Sequence, residues 1–577
     1  MSAIEKLITE NLPIWSSSVQ SKSTQGRGSS SKRNLYGVKK LREFILELAL
    51  IGHLTHQDLN EDSEKDLGVA VAKKNKMVEG GFAKPVRGVK LGEGGILQSK
   101  IPSSWKICLF EEVAWPQAGF AFSSKSFNNN KAGLPLIRIR DVGAPFSGTY
   151  YDGEYRQEFV VRKGDILVSM DGEFRVRPWK NEEALLNQRV SRLFFSDACS
   201  EKFCSMAIQK SVFSLQCKKS YLTVDHLSTK QISSSQIPFP PIAEQHRIVA
   251  KVDELMALCD TLEQQQEDSI QAHETLVETL LGALTNPPDA EAFQSAWQRV
   301  SAHFDTLLTT EHSVDKLKET ILQLAVMGKL VPQDPNDELA SVLLEKIAAD
   351  KEQLIKDGVI KKKNSSLETD DEEPIFKIPD NWELVNLDQI TAITGGKRVS
   401  KGYKLKLEPT PFIYIRVTDM KNGTIDDSNL HFIGADEREK IKRYIIHKGD
   451  IYMTIVGATI GKCGIVPPKF DNMNLTENAA RIKVISGVNN KFLYLILRGE
   501  YCQNQFAGKT NKVGVEKMAL TRLASTKIPL PPQEEQHRIA AKVDELMALC
   551  DDLKQSLNEA QTTQMQLTDA VTEQAVN

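Results

Sequence analysis

The chain repeats itself at a fixed spacing. Ile237-Pro238-Phe239-Pro240-Pro241, then Glu244-Gln245-His246-Arg247-Ile248 and Ala250 through Asp260, return 291 residues later as Ile528-Pro529-Leu530-Pro531-Pro532, Glu535-Gln536-His537-Arg538-Ile539 and Ala541 through Asp551. Between Glu244 and Asp260 only Val249, facing Ala540, differs. Such self-similarity constrains architecture more than any local propensity, because each copy must form the same unit. A second pair lies upstream. Lys40-Leu41-Arg42-Glu43, Ile45-Leu46, Leu48-Ala49 and Gly52, ending in Gln57-Asp58, match Lys316-Leu317-Lys318-Glu319, Ile321-Leu322, Leu324-Ala325 and Gly328, ending in Gln333-Asp334, at an offset of 276. The difference of 15 between the offsets places a longer enclosed stretch in the second half. Within the enclosed stretches only Ile101-Pro102 with Trp105 and Lys163-Gly164-Asp165-Ile166 find counterparts, at Ile378-Pro379 with Trp382 and Lys448-Gly449-Asp450-Ile451. A frame was duplicated and its inserts diverged.

The frame reads as helical. The paired prolines end an extended segment and open a helix whose first turn is acidic at Glu244 or Glu535. Ile539, Val543, Leu546, Cys550, Leu553, Leu557, Ala560, Gln564, Leu567 and Val571 then follow four-three spacing, a coiled-coil seam. The inner copy runs Ile248, Val252, Leu255, Cys259, Leu262, Gln266, Ile270, His273, Val277, Leu280, Leu284. From Ala243 to Leu284 this helix spans about 60 Å at ~1.5 Å per residue. Each stripe needs a partner, and the other helix is the economical one. Asn286-Pro287-Pro288-Asp289 breaks the inner helix, and a further helix is expected from Ala290 to Leu308. Lys361 to Glu373 reads as a charged linker, and Ser16 to Arg33 as a Ser/Gly-rich loop. In the inserts, Leu136 to Arg140, Phe412 to Arg416, Phe159 to Val161 and Tyr444 to Ile446 carry the two-residue alternation of strands. The fold class that follows is α/β: two mixed α/β domains separated by pseudo-repeated long helices that pair as a coiled coil. The boundaries drawn are 1–99 for an N-terminal helical region, 100–238 for the first insert, 239–335 for a central helical spacer, 336–376 for a helix and linker, 377–529 for the second insert and 530–577 for a C-terminal helix.

A length of 577 residues exceeds what one core organises. No run approaches the ~20 apolar residues of a membrane span, and the first residues lack a secretory pattern, so a cytoplasmic protein is expected. The eight cysteines show neither a disulfide framework nor zinc spacing. The net charge of −3 hides an asymmetry: residues 101–235 hold 18 Lys+Arg against 14 Asp+Glu, and residues 378–527 hold 23 against 15. Two basic modules on an acidic frame suit phosphate contact, with solvated charge the competing reading.

The paired Pro-Phe/Leu-Pro-Pro-x-x-Glu-Gln-x-x-Ile signature, the Gln-Asp after each Gly-x-Leu ending and the two dissimilar inserts resemble, over essentially the whole length, the specificity subunits of type I restriction-modification systems. The resemblance implies that each insert is a target-recognition domain reading one half of a bipartite asymmetric site on double-stranded DNA. It implies that the helices pair as an antiparallel coiled coil, set the half-site spacing and dock two modification (methyltransferase) subunits, with restriction (motor-nuclease) subunits as further partners. S-adenosylmethionine, ATP and magnesium would then belong to those partners and no cofactor to this chain.

Three near-motifs fail as catalytic sites. Gly457-Ala458-Thr459-Ile460-Gly461-Lys462 has three residues between its glycines and Cys463 after the lysine, where a phosphate-binding loop needs four and then Ser or Thr. A tight strand turn is the better reading. Asn286-Pro287-Pro288 is followed by Asp289, which cannot stack on a flipped adenine, and no glycine-rich cofactor loop accompanies it. Gly164-Asp165 and Gly449-Asp450 lack the further acids and lysine of a nuclease and read as hairpin turns with positive φ on glycine. His246 and His537 recur without a nucleophile. The chain therefore reads as non-catalytic. DNA-contact candidates are Lys125, Asn128, Asn129, Asn130, Lys131, Arg175, Arg177, Gln188 and Arg189 in the first insert, and Lys397, Arg398, Lys401, Lys404, Lys509, Asn511 and Lys512 in the second, with a solvated surface loop as the alternative for each. Subunit-contact candidates are Glu244, Gln245, His246, Arg247, Glu535, Gln536, His537 and Arg538. The competing functions are a fused methyltransferase or nuclease, which would need the motifs just found wanting, and a DNA-binding adaptor of another defence system on the same frame.

Overall fold

A computed structural model describes residues 8–21, 33–58, 60–81, 101–217, 226–360, 376–508 and 516–576. The charged linker expected at Lys361–Glu373, most of the Ser/Gly-rich loop, and Lys509, Asn511 and Lys512 lie outside the described residues. The principal elements of the first half are α1 (Leu12–Ser17), α2 (Tyr36–Leu50), α3 (Ser63–Glu79), β1 (Lys106–Leu109), β2 (Ala114–Ala118), β3 (Leu134–Ile137), β4 (Val160–Val161), β5 (Ile166–Ser169), β6 (Val176–Pro178), β7 (Ala184–Leu186), β8 (Val190–Phe195), α4 (Glu201–Cys217), β9 (Gln236–Phe239) and α5 (Ile242–Thr285). Then follow α6 (Ala290–Ala302), α7 (Glu311–Val326), α8 (Ala340–Lys356), β10 (Glu383–Asn386), β11 (Thr391–Gly395), β12 (Tyr414–Ile415), β13 (Ile445–Ile446), β14 (Ile451–Thr454), β15 (Cys463–Ile465), β16 (Met473–Leu475), β17 (Ala479–Val484), α9 (Asn490–Arg498), α10 (Glu500–Gly508), β18 (Lys527–Leu530) and α11 (Gln533–Val576). The expected α/β class and long helices are both present.

The chain divides into two compact units, Met1–Asp268 with Gln561–Asn577, and Ser269–Ala560. The first takes the start of α5 and the end of α11, and the second takes the remainder of each, as an antiparallel pair requires. In the first unit a four-stranded sheet runs β6-β5-β8-β2, and in the second the order β15-β14-β17-β11 is the same. A smaller sheet in each pairs a parallel couple, β3 with β7 or β12 with β16, flanked antiparallel by β4 or β13. The diverged inserts thus share one topology.

Each four-stranded sheet separates two cores, which explains its central strand. Ile166 and Val168 of β5 pack into the core that holds α2 and α5, while Leu167 points into the core of the smaller sheet. In the second unit Ile451 and Met453 face the frame and Tyr452 the small sheet. A strand buried on both faces reads as an unbroken apolar run, as Ile166-Leu167-Val168 and Ile451-Tyr452-Met453 do. Each insert therefore shares a core with its frame helices. It also enters and leaves side by side: β1 pairs antiparallel with β9, and β10 with β18, forming a two-stranded neck that runs directly into α5 or α11.

Several expected details change. Leu567 is half exposed, and Thr568 takes its seam position, fully buried and 2.6 Å from Ser18 Oγ. In α5, Leu281 is buried where Leu280 was expected, so the spacing runs Val277, Leu281, Leu284. Ile139 and Arg140 leave the expected strand for a 3₁₀ turn over Ile139–Asp141, in which the Arg138 amide donates to Asp141 Oδ2 at 2.8 Å. The helix expected to reach Leu308 ends at Ala302, and a short turn over Phe304–Leu307 follows.

The eight residues expected at subunit contacts divide sharply. Glu244, Gln245, Glu535 and Gln536 are fully buried, so their expected surface role is corrected to an internal one. Glu244 accepts from Trp105 Nε1 at 2.9 Å, Gln57 Nε2 at 2.5 Å and Thr55 Oγ1 at 3.3 Å. Glu535 accepts from Trp382 Nε1 at 3.0 Å and Gln333 Nε2 at 2.6 Å. Gln245 donates to the Pro240 carbonyl at 2.9 Å and accepts the Ser200 amide at 2.8 Å; Gln536 does the same with Pro531 at 3.0 Å and Asn489 at 2.8 Å. Arg247 clasps Glu61 and Arg538 clasps Asp337, each through both terminal nitrogens. His246 and His537 face solvent, His537 accepting from Asn489 Nδ2 at 2.8 Å.

Candidate nucleic-acid interface

At one end of each four-stranded sheet four chain segments are stitched together by main-chain bonds that match between the inserts. In the first, the Gly119 amide donates to the Val190 carbonyl at 3.0 Å and Phe120 to Leu186 at 2.9 Å; Met170 donates to Arg189 at 3.1 Å and Leu227 to Met170 at 2.7 Å. In the second, Gly396 donates to Ala479 at 3.0 Å, Lys397 to Leu475 at 2.9 Å, Ile455 to Asn478 at 2.9 Å and Met518 to Ile455 at 2.9 Å. The close approach explains a glycine in each copy, since a Cβ on Gly119 or Gly396 would stand 2.0 Å from the carbonyl oxygen of Asn187 or Thr476. The scaffold of this end is constant, and its side chains are not. The first copy presents Phe120, Asp171, Gln188, Arg189 and His226, and the second presents Lys397, Arg398, Val456, Glu477 and Lys517.

In the first insert Asp171 organises the group. Its carboxylate receives His226 Nδ1 at 2.5 Å and lies 3.3 Å from Arg189 Nε. Gln188 is exposed beside it. Arg156 lies over the Phe120 ring at 5.4 Å and the Phe159 ring at 5.1 Å. In the second insert Glu477 receives Arg398 Nε at 2.6 Å on one oxygen, and Thr476 Oγ1 at 3.1 Å and Tyr414 Oη at 3.3 Å on the other. Burial works against the charged form of Glu477, but the bonds from Arg398, its own amide and Thr476 prevail and hold its carboxyl below the usual range. Lys397 stands 5.8 Å from the Tyr444 ring centre.

Of the residues proposed from sequence, Gln188 and Arg189 meet in the first insert, and Lys397 and Arg398 in the second. Lys401 and Lys404 follow on an exposed segment tied down where the Ser400 amide donates to Glu437 Oε1 at 2.6 Å. Lys125 and Asn128 to Lys131 lie instead at the edge strand Phe127–Asn128, three strand spacings, or ~14 Å, from β7. There Asn128 bonds the Ala132 amide and carbonyl at 3.1 and 3.0 Å. Arg175 is ion-paired with Glu173, and Arg177 Nη1 donates to Gln209 Oε1 at 3.0 Å. Phe120, Arg156, His226 and Lys517 were not singled out from sequence. An aromatic directly after a glycine, Gly119-Phe120, was the available signal for Phe120.

The carboxylates of the two Lys-Gly-Asp motifs have structural partners. Asp165 Oδ2 accepts the Arg162 amide at 2.9 Å and Arg192 Nη1 at 3.0 Å; Asp450 Oδ2 accepts the His447 amide at 2.7 Å and Arg481 Nε at 2.6 Å. Gly164 and Gly449 have φ of 99° and 81°, as a turn glycine requires. Gly457 to Lys462 form the turn between β14 and β15.

A family model described as the type I restriction modification DNA specificity domain matches residues 102–272 and 379–561. The chain is 34% identical to the type I restriction enzyme EcoAI specificity subunit of Escherichia coli and 33% identical to the EcoEI specificity subunit of the same organism, covering 100% of both chains in each case. Among solved structures, the HsdS subunit from Thermoanaerobacter tengcongensis is 16% identical over 83% of this chain and 97% of that one, with a TM-score of 0.39. A chain from a study of complex assembly and conformational transition of the type I R-M system is 16% identical over 82% and 98%, with a TM-score of 0.43.

Proposed function

The chain belongs to the type I restriction-modification DNA specificity family, and from that premise we propose that the four-segment end of each insert's sheet is the surface that reads DNA. It is a specificity subunit, and its part is recognition without catalysis. On this reading residues 100–238 and 377–529 are the two target-recognition domains, and 239–335 with 530–577 are the helical regions that space them.

One observation carries the reading: the same main-chain scaffold is built twice and furnished with different side chains. Sequence is read by side-chain donors and acceptors on base edges, while Lys and Arg on phosphates set register. A constant scaffold with variable furnishing gives two independent readings, hence an asymmetric bipartite site. Lys401 and Lys404 suit phosphate contact. Lys509, Asn511 and Lys512 stay candidates as basic and polar residues a few positions before Lys517 in the sequence.

The partners on this reading are double-stranded DNA, two modification subunits and the restriction subunits, in the cytoplasm. S-adenosylmethionine, ATP and magnesium belong to those partners. Docking of two like subunits is supported by exposed leucines that the repeat duplicates: Leu258 and Leu276 on α5 are 37% and 51% exposed, and Leu549 and Leu567 on α11 are 58% and 50% exposed.

The test is to purify the chain with its modification partner and map adenine methylation across a genome. One asymmetric bipartite motif is expected. A continuous motif, or methyl transfer by this chain alone, overturns the reading.

A further inference from the structure

We infer that Arg189 and Arg398 each read a guanine, one in each half-site, and that Asp171 and Glu477 are the positioning residues that aim them. The inference rests on the proposed recognition surface and deepens it from a surface to two base contacts.

Both arginines are exposed, at 53% and 74% of their side chains, and both stand at the four-segment end. Arg398 donates Nε–H to its carboxylate at 2.6 Å, and Arg189 Nε stands 3.3 Å from its own as an ion pair. Neither arginine has an Nη group hydrogen-bonded to a described residue, so both keep that outer pair of donors. Two parallel N–H donors at fixed spacing fit the O6 and N7 acceptors that guanine alone shows side by side in the major groove. An arginine clasped at its tip, as Arg247 and Arg538 are, has spent those donors.

The carboxylates are themselves anchored. The Asp171 side chain is 13% exposed and bonded to His226, and that of Glu477 is 27% exposed and bonded to Thr476 and Tyr414. An anchored carboxylate restricts a long flexible side chain before DNA arrives, which lowers the ordering cost of binding. The two clasps come from different places in the chain: Asp171 follows β5 and holds an arginine before β8, whereas Glu477 precedes β17 and holds an arginine after β11.

The experiment maps methylation motifs for the full complex with modification subunits, carrying the wild-type chain, Arg189→Ala, Arg398→Ala, or Asp171→Asn. The wild-type motif is expected to require guanine in both halves. Arg189→Ala should reduce discrimination at one guanine of one half-site by about tenfold or more, with the other half-site read as before, and Arg398→Ala should do the reverse. Asp171→Asn should weaken the same position as Arg189→Ala by a smaller factor. The untouched half-site reports that the variant chain is folded and assembled. A wild-type bipartite motif with no guanine in either half overturns the inference while leaving the family reading intact. So does an unchanged motif in the arginine variants, or a uniform loss of affinity with a salt slope shallower by about one, the mark of a phosphate contact. A wild-type motif that is not bipartite overturns the underlying reading instead.

Discussion

Glu244 and Glu535 show how a residue's recurrence and its role come apart. Both were visible as repeated, and so were Gln57, Trp105, Gln333 and Trp382, yet nothing in the linear order says that they meet. Packing brings an indole N–H and an amide onto each buried carboxylate, and burial still raises both carboxyls above the ordinary range, against the bonds from the tryptophan and glutamine. A raised carboxyl pKa means the folded state holds its proton more tightly than the unfolded chain. That group's contribution to stability is therefore full below the usual carboxyl pKa of about 4.3 and declines as pH rises through the folded value. Glu244→Gln turns an amide toward the donors of Trp105 and Gln57 and should cost about 1–3 kcal/mol. The gap between wild type and Glu244→Gln in urea midpoints of the full chain should narrow from pH 4 to pH 7. A gap that widens with pH would mean that the bonds, not burial, govern the carboxylate. Arg189 and Arg398 were legible as basic residues in loops, but their clasps were not, because Asp171 and Glu477 reach them only once β-strand register is set.

Long helices were the most legible elements, since a seven-residue rhythm survives without knowledge of what covers it. The rhythm misled where the covering changed. Leu567 continues the spacing, but at that point α11 packs with the N-terminal segment, where Ser18 bonds Thr568 and Tyr36 Oη donates to Asp569 at 2.7 Å. A polar pair fills the seam, and the leucine turns out. Its exposure then acquires meaning from the repeat, because Leu276 is exposed at the matching position, and Leu258 and Leu549 likewise. Apolar positions kept outward in both copies fit a face that another chain covers. Leu549→Glu should therefore remove one modification subunit from the complex, Leu258→Glu the other, and the double variant both, with secondary structure unchanged by circular dichroism. Native mass spectrometry reads the stoichiometry directly. Retention of two modification subunits by the double variant would exclude this face as their dock.

For the whole molecule, the repeat in the sequence separates a duplicated frame from diverged inserts, and the structure adds that they share cores. Phe110, Phe203 and Ile237 lie in one cluster with Leu41 of α2 and Val252 of α5; Leu387, Phe492 and Ile528 lie in one with Ile321 of α7 and Val543 of α11. That interdependence argues at first against exchanging inserts. The repeat removes the difficulty, because the frame side of each core is built from the same residues, Val38, Ile45 and Ala49 answering to Val314, Ile321 and Ala325, and Val252 to Val543. The necks match as well, with β1 on β9 and β10 on β18 in the same antiparallel register. Replacing residues 383–530 by residues 106–239 should then give a folded chain in which both frames carry the first insert. Methylation mapping of its complex should return a bipartite motif whose two halves are the same word, the one the wild-type complex reads with its first insert. Co-purification with the modification subunit guards against a misfolded chimera. A folded, assembled chimera that still reads two different words would show that frame position contributes to base choice, and the independence of the two readings would fall.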